Sequence, residues 1–162
     1  TERSGVAARS CVNLLESRGL YEGLAADMRR TATRLLADID HDLAIEHEDL
    51  LGSLPQRQQV GIALFYKECL ANIIRHSGAT RVVTRLVATP RAVHLTVTDN
   101  GHGLAAGLQG QLGSHPVPSS LRRRARLLGA HATARDGTES GTCITLTLPT
   151  SPWWKLSSWI RS

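Results

Sequence analysis

Two β-patterned runs, Arg81–Ala88 and Ala92–Thr98, are separated only by Thr89-Pro90-Arg91. Alternating runs with so short a break return on each other as an antiparallel hairpin. A long helical pattern leads straight into them. From Gln56 to about His76, the residues Val60, Ala63, Leu64, Phe65, Leu70 and Ile74 outline an apolar helix face, and Ser77-Gly78 stops it. A helix delivered directly to a hairpin narrows the architecture to a sheet with helical cover.

The remaining segments extend that pattern. Residues 5 to 38 have helical spacing, punctuated by Gly19 and Gly23, which predicts a short leading helix and a longer one from about 21 to 38. His41 to Glu48 alternates as an edge strand does, with Leu43 and Ile45 on one face, and Gly52 and Pro55 mark a loop. Gly101 to Pro118 holds five glycines and two prolines without periodicity, a loop of 18 residues. Loops of that length inside a compact domain are usually functional. Ser119 or Ser120 is expected to cap a helix that runs to Leu128, with Gly129 at its end, and strands follow at about His131–Arg135 and Thr142–Leu148. Helices and strands alternate without regular βαβ units. This predicts an α+β fold, a two-layer α/β sandwich with a mixed sheet covered on one face by helices. With 162 residues the chain supports one ordinary core. The expected division is a helical segment at 1–38, a domain at 39–150 and a tryptophan-rich tail at 151–162, where Trp153, Leu156 and Ile160 share a helical side suited to docking.

Composition removes several classes of function. The net charge of +5 is concentrated in Arg122-Arg123-Arg124-Ala125-Arg126, but no aromatic residues interleave with the arginines to stack bases, so no direct nucleic-acid contact is expected. Cys11, Cys69 and Cys143 are odd in number and lack ligand spacing, which points to a reduced compartment and to small core residues. No apolar stretch approaches the roughly 18 residues of a membrane span. The chain reads as a cytoplasmic fragment excised from a longer protein.

Two short segments carry the chemistry. Glu68 and Asn72 are four residues apart and so share a helix face, with Arg75 and His76 just beyond. An amide oxygen near a carboxylate suits a hard, partly hydrated cation such as Mg2+, and Arg75 and His76 are placed to meet phosphate oxygens. Asp99, in Asp99-Asn100-Gly101-His102-Gly103, stands where the second hairpin strand runs out. Its carboxylate can accept from an exocyclic amine such as that of adenine, while the glycines let the backbone turn and approach a ligand closely. Each segment alone is weak. Their order, the hairpin between them, the glycine-rich loop and the closing Gly141-Thr142 strand together indicate an ATP pocket.

These residues resemble the ATP-binding catalytic domain of bacterial sensor histidine kinases, within the wider gyrase, Hsp90 and MutL group of ATPases, over about Gln56 to Pro149. The stretch Glu68–Thr80 is similar to the N box of the subfamily of nitrate/nitrite sensors, and Leu121–Gly129 to the helix after that subfamily's lid. The resemblance implies the Bergerat ATP-binding fold, with ATP and Mg2+ as ligands. It implies Asn72 as the Mg2+ ligand and Glu68 as the catalytic carboxylate that polarises the nucleophile or orients the metal's water. Arg75 would contact phosphate with His76 beside it, and Asp99 would recognise the adenine amine. Gly101 and Gly103 would line the base and open the lid, and Thr142 would lie near the adenine. One segment departs from the family pattern: Gly113-Ser114-His115-Pro116-Val117-Pro118 stands where a second glycine box is expected. Gly113 and Ser114 are what remains of that box, and the prolines remove two backbone donors.

The implied partners are a phosphoacceptor histidine domain and a response regulator, and the resemblance implies a full-length protein that is a homodimer anchored in the bacterial inner membrane. His41-Asp42 superficially looks like the phosphoacceptor motif but lies in a β-patterned segment, so the acceptor is expected outside this fragment. Two alternatives share the pocket: a degenerate, non-catalytic module that regulates a kinase or response regulator, and a serine kinase of the anti-sigma-factor type.

Overall fold

The computed structural model describes residues 22–103, 114–138 and 140–150. In chain order they form α1 (Leu24–Leu35), β1 (Asp40–Glu46), α2 (Glu48–Gly52), α3 (Gln56–Asn72) with a π turn at Ile73–Ser77, β2 (Arg81–Ala88), β3 (Ala92–Asp99), β4 (Ser114–His115), α4 (Ser119–Leu128), β5 (His131–Asp136) and β6 (Thr142–Pro149). The strands make one sheet in the order β1-β2-β3-β6-β5-β4. The β1–β2 pairing is parallel and every other pairing antiparallel, so the sheet is mixed. The expected α+β, two-layer fold is the one observed.

Strand alternation sets the two faces. Val82, Leu86 and Ala88 on β2, Val93, Leu95 and Val97 on β3, and Ile144, Leu146 and Leu148 on β6 are buried in one cluster with α1, α3 and α4. The intervening residues Arg85, His94, Thr96, Thr98, Thr145 and Thr147 face away from the helices and are exposed or half-buried. Helix α3 contributes most to the helical layer, with Ile62, Phe65, Tyr66 and Leu70 each at most 1% exposed. At Gly61 an added Cβ would lie 2.2 Å from Leu128 Cδ2, so a side chain there would force Leu128 of α4 to shift.

Several expectations shift. The first helix starts at Leu24, because Gly23 takes φ 103°, and it ends at Leu35 rather than 38. The edge strand stops at Glu46, where His47 adopts a left-handed φ of 61°, and α2 occupies Glu48–Gly52, which had read as strand end and loop. Acidic Glu48 and Asp49 favour the start of that short helix, and an Arg29–Glu48 ion pair ties it to α1. Neither Ser119 nor Ser120 caps α4: its N-cap is Pro118, and no side chain closes that end. Pro118 holds φ at −49°, and its carbonyl accepts the Arg122 N–H at 2.9 Å, so the proline's geometry starts the helix. Within the segment expected to be a loop, Ser114 and His115 pair with Arg135 and Ala134 as β4. The leading helix, most of the lid, and the tryptophan tail lie outside the described residues.

Leu70, fully buried, and Leu127, 64% exposed, separate packing from surface effects. Leu70→Ala is expected to cost about 2–5 kcal/mol in urea unfolding, and Leu127→Ala about 0.5 kcal/mol or less. Equal costs would contradict the burial described.

Candidate functional site

A pocket of about 290 Å3 opens between the end of α3, the ends of β3 and β6 that meet it, and the start of α4. From α3 and its π turn, Cys69, Asn72, Ile73, His76 and Ser77 line it, a set that follows one helix face at three- and four-residue steps. The sheet supplies Val97, Asp99, Thr142 and Ile144, the segment after β3 supplies Gly103, and α4 and its cap supply Pro118 and Leu121. The lining is mostly apolar with a few convergent polar groups, the usual character of a small-molecule site.

Asp99 is the polar group of the sheet side, 5% exposed. Burial pushes its carboxyl above the usual range, and hydrogen bonds from the backbone N–H groups of Gly101 and Thr142 pull partly back. The Gly101 N–H donates to Oδ1 at 2.8 Å. The turn behind it is tied on three sides. Asn100 Oδ1 accepts from the N–H groups of Thr80 and Arg81, both at 2.9 Å, and Nδ2 donates to Thr80 Oγ1 at 2.9 Å. Ser140 Oγ donates to the Asn100 carbonyl at 3.0 Å, and the His102 N–H to the Ser77 carbonyl at 2.8 Å. The chains pass so closely that a Cβ at Gly141 (φ 77°) would stand 2.0 Å from the Asp99 carbonyl oxygen, and one at Gly101 2.2 Å from that of Ser77.

On the helix side, the π turn replaces the last α-helical turn that the periodicity predicts. Ser77 Oγ donates to the Ile73 carbonyl at 2.9 Å and accepts the Ala79 N–H at 3.1 Å, and Gly78 closes the helix at φ 62°. Such turns recur at functional sites. Asn72 Nδ2 is buried and, among the described residues, has no hydrogen-bond partner. Rotation about the terminal torsion exchanges the amide's two ends, so this position presents either a donor or an oxygen to the pocket.

Of the residues singled out from the sequence, Asn72, His76, Asp99, Gly103 and Thr142 meet in this one pocket. Gly101 stands just behind it. Glu68 does not line it and instead lies at the edge of the face, with Oε2 at 3.9 Å from Arg124 Nε. Arg75 is exposed and outside the lining, and Gly113 lies outside the described residues. Cys69, which read as core, contributes to the pocket wall, and so does Ile73. Burial raises the Cys69 thiol well above its ordinary value, so it packs as an inert apolar group. Cys69 lies three residues before Asn72 and Ile73 three before His76, and that spacing was the signal that could have found them.

A carboxylate buried at the end of a sheet strand and an amide on the covering helix that is unpartnered among the described residues thus line one pocket. Residues 58–152 match the family of histidine kinase-, DNA gyrase B- and HSP90-like ATPases, and the chain belongs to that family. Sensor-type histidine kinase PrrB of Mycobacterium bovis and of Mycobacterium tuberculosis is 26% identical over 131 residues, covering 73% of this chain and 28% of that protein. The chain thus spans little more than a quarter of the curated relatives it matches. Among solved structures, the ATP-binding domain of PrrB from M. tuberculosis aligns with TM-score 0.58 and 22% identity over 80% of this chain and 95% of that one. The blue-light activated histidine kinase of Erythrobacter litoralis aligns with TM-score 0.60 and 21% identity over 83% of this chain and 43% of that one. Both likenesses are of fold.

The raised Asp99 carboxyl gives a pH signature. Below the ordinary carboxylate range the group is protonated in folded and unfolded chains alike and costs nothing. As pH rises, the unfolded chain releases the proton first, so the wild-type fold loses stability until the folded-state value is passed. Urea unfolding between about pH 3 and pH 7 should therefore show Asp99→Asn gaining on the wild type as pH rises. A constant difference would mean the carboxylate is not desolvated.

Proposed function

We propose that this domain binds Mg-ATP and transfers the γ-phosphoryl group to a histidine on a separate phosphoacceptor domain, for relay to a response regulator. The observation that carries this reading is the pairing, in one pocket, of the buried Asp99 carboxylate with the buried, unpartnered Asn72 amide. Asp99 accepts from the adenine amine. Thr142, whose backbone N–H orients that carboxylate, stands beside it. Val97, Leu121 and Ile144 give the base apolar walls. Asn72, at the other end, presents its oxygen to the cation, and His76 stands one turn further toward the phosphates.

The donor set fits Mg2+, a cation that takes oxygen ligands and keeps several waters. When bound it supplies charge neutralisation for the phosphates. The protein's own work is positioning and exclusion of water, since phosphoryl transfer asks little covalent chemistry of it. Glu68, at the rim, would polarise the incoming imidazole or orient a water of the cation's shell. Arg75 and the segment holding Gly113 are assigned to the phosphates through the family pattern alone. We further infer a homodimeric, membrane-anchored full-length protein of the nitrate/nitrite-sensor subfamily, a reading supported by the likeness of Glu68–Thr80 and Leu121–Gly129 to segments of that subfamily.

Titration with a fluorescent ATP analogue in Mg2+ tests the pocket. Asp99→Asn should weaken binding at least about tenfold, or about 1.4 kcal/mol, with or without the metal. Asn72→Ala should weaken it mainly when Mg2+ is present. Unchanged affinity in both variants would remove the assignment. Transfer to an acid-stable serine phosphate, rather than an acid-labile histidine phosphate, would favour the serine-kinase alternative.

A further inference from the structure

Helix α4 has a cavity on each side. Leu121 faces the nucleotide pocket, while Arg122, Ala125 and Arg126 face a second cleft of about 410 Å3 bounded by Pro116-Val117 and the start of β5. Its floor is alanine: Ala125 is 3% exposed, and Ala130 and Ala132 are partly buried against the core. Its rim is basic, formed by the exposed side chains of Arg122, Arg126 and His131. Arg122 Nη2 donates to the Val117 carbonyl at 2.9 Å, which fixes the guanidinium at the mouth and leaves its other N–H groups for an incoming acceptor. Among the described residues, no carboxylate lines the cleft. Asp136, at the far end of β5, is held by His115 Nε2 at 2.5 Å. Among the described residues Arg126 makes no ion pair, whereas its neighbour Arg124 is within reach of Glu68.

We propose that this cleft binds an acidic peptide segment of a partner protein. A glutamate or aspartate fits the charge at the rim, since arginine forks hold carboxylates in bidentate pairs. A small apolar neighbour in the same peptide fits the alanine floor, where removal of water from both surfaces adds to affinity. Nucleic acid matches less well. The cleft offers no aromatic platform for bases, and its charges ring a concave apolar floor instead of following a line of phosphates. Free phosphate would satisfy the arginines and leave the floor unused. The proposal is independent of the nucleotide pocket.

Fluorescence anisotropy of the whole chain with a short labelled peptide of alternating glutamate and leucine tests it. Binding should be salt-sensitive and should disappear when lysine replaces glutamate. Arg126→Glu should weaken it at least about tenfold, Arg126→Lys should retain part of the affinity, and Ala132→Leu should weaken it by filling the floor. Arg57→Glu, a charge reversal at an exposed α3 residue that does not line the cleft, should change little. A loss with Arg57→Glu equal to that with Arg126→Glu would reduce the effect to net charge and overturn the proposal. So would no binding, or displacement by duplex DNA or phosphatidylserine vesicles at lower concentration than by unlabelled peptide. If Ala132→Leu fails to fold, the exposed Arg126 variants decide the matter alone.

Discussion

The geometry of the pocket depends on backbone packed against backbone at the point where β3 ends. Asp99 and Gly141 run so close that no side chain fits between them, and Gly101 meets the Ser77 carbonyl in the same way. Three elements distant in sequence, the end of α3, the end of β3 and the start of β6, are thereby fixed relative to one another within ångströms. The carboxylate gains its position from these contacts and from two N–H donors, not from its own flexible stem. That a desolvated carboxylate persists there at all shows how much of the surrounding structure holds it. Burial of a charge without such donors would be far more costly.

Most of the architecture was legible because its signals are local and periodic. The long apolar repeat of α3, the alternation of β2 and β3 around Thr89-Pro90-Arg91, and the glycine stop after α4 each encode one element within a few residues. The misreadings have a common origin in short elements that exist through tertiary contact. Helix α2 is a single turn stapled by Arg29, and β4 is two residues defined by a partner strand. Neither length produces a period. The capping error at Ser119 and Ser120 arose because residue type favoured serine while the fixed φ of Pro118 had already set the start of the helix.

For the site, the polar residues stood out and the apolar ones did not. Asp99 and Asn72 carry chemistry that demands explanation in any position, whereas Cys69, Ile73, Val97, Leu121 and Ile144 have the composition of a core and are seen to be a pocket wall only once helix and sheet diverge. The π turn has no signature in the residue spacing. Asn72 and His76 still line the pocket four residues apart, while Arg75 is exposed outside the lining.

The outer edge of the sheet at β1 has its own consequence. Asp40, Asp42 and Glu46 fall on the face of β1 away from the helices, and Arg81 and Arg85 on β2 pair with the first and last of them. A second copy of the chain adding a strand along this edge would set acidic residues against acidic residues with their arginine partners already engaged. Like charges across a strand pair are destabilising, and charged edges are a recurrent defence against such pairing. Among the described residues, the opposite edge, β4, is two residues long. Both borders of an otherwise open sheet thus discourage edge-to-edge aggregation, one by charge and the other by brevity.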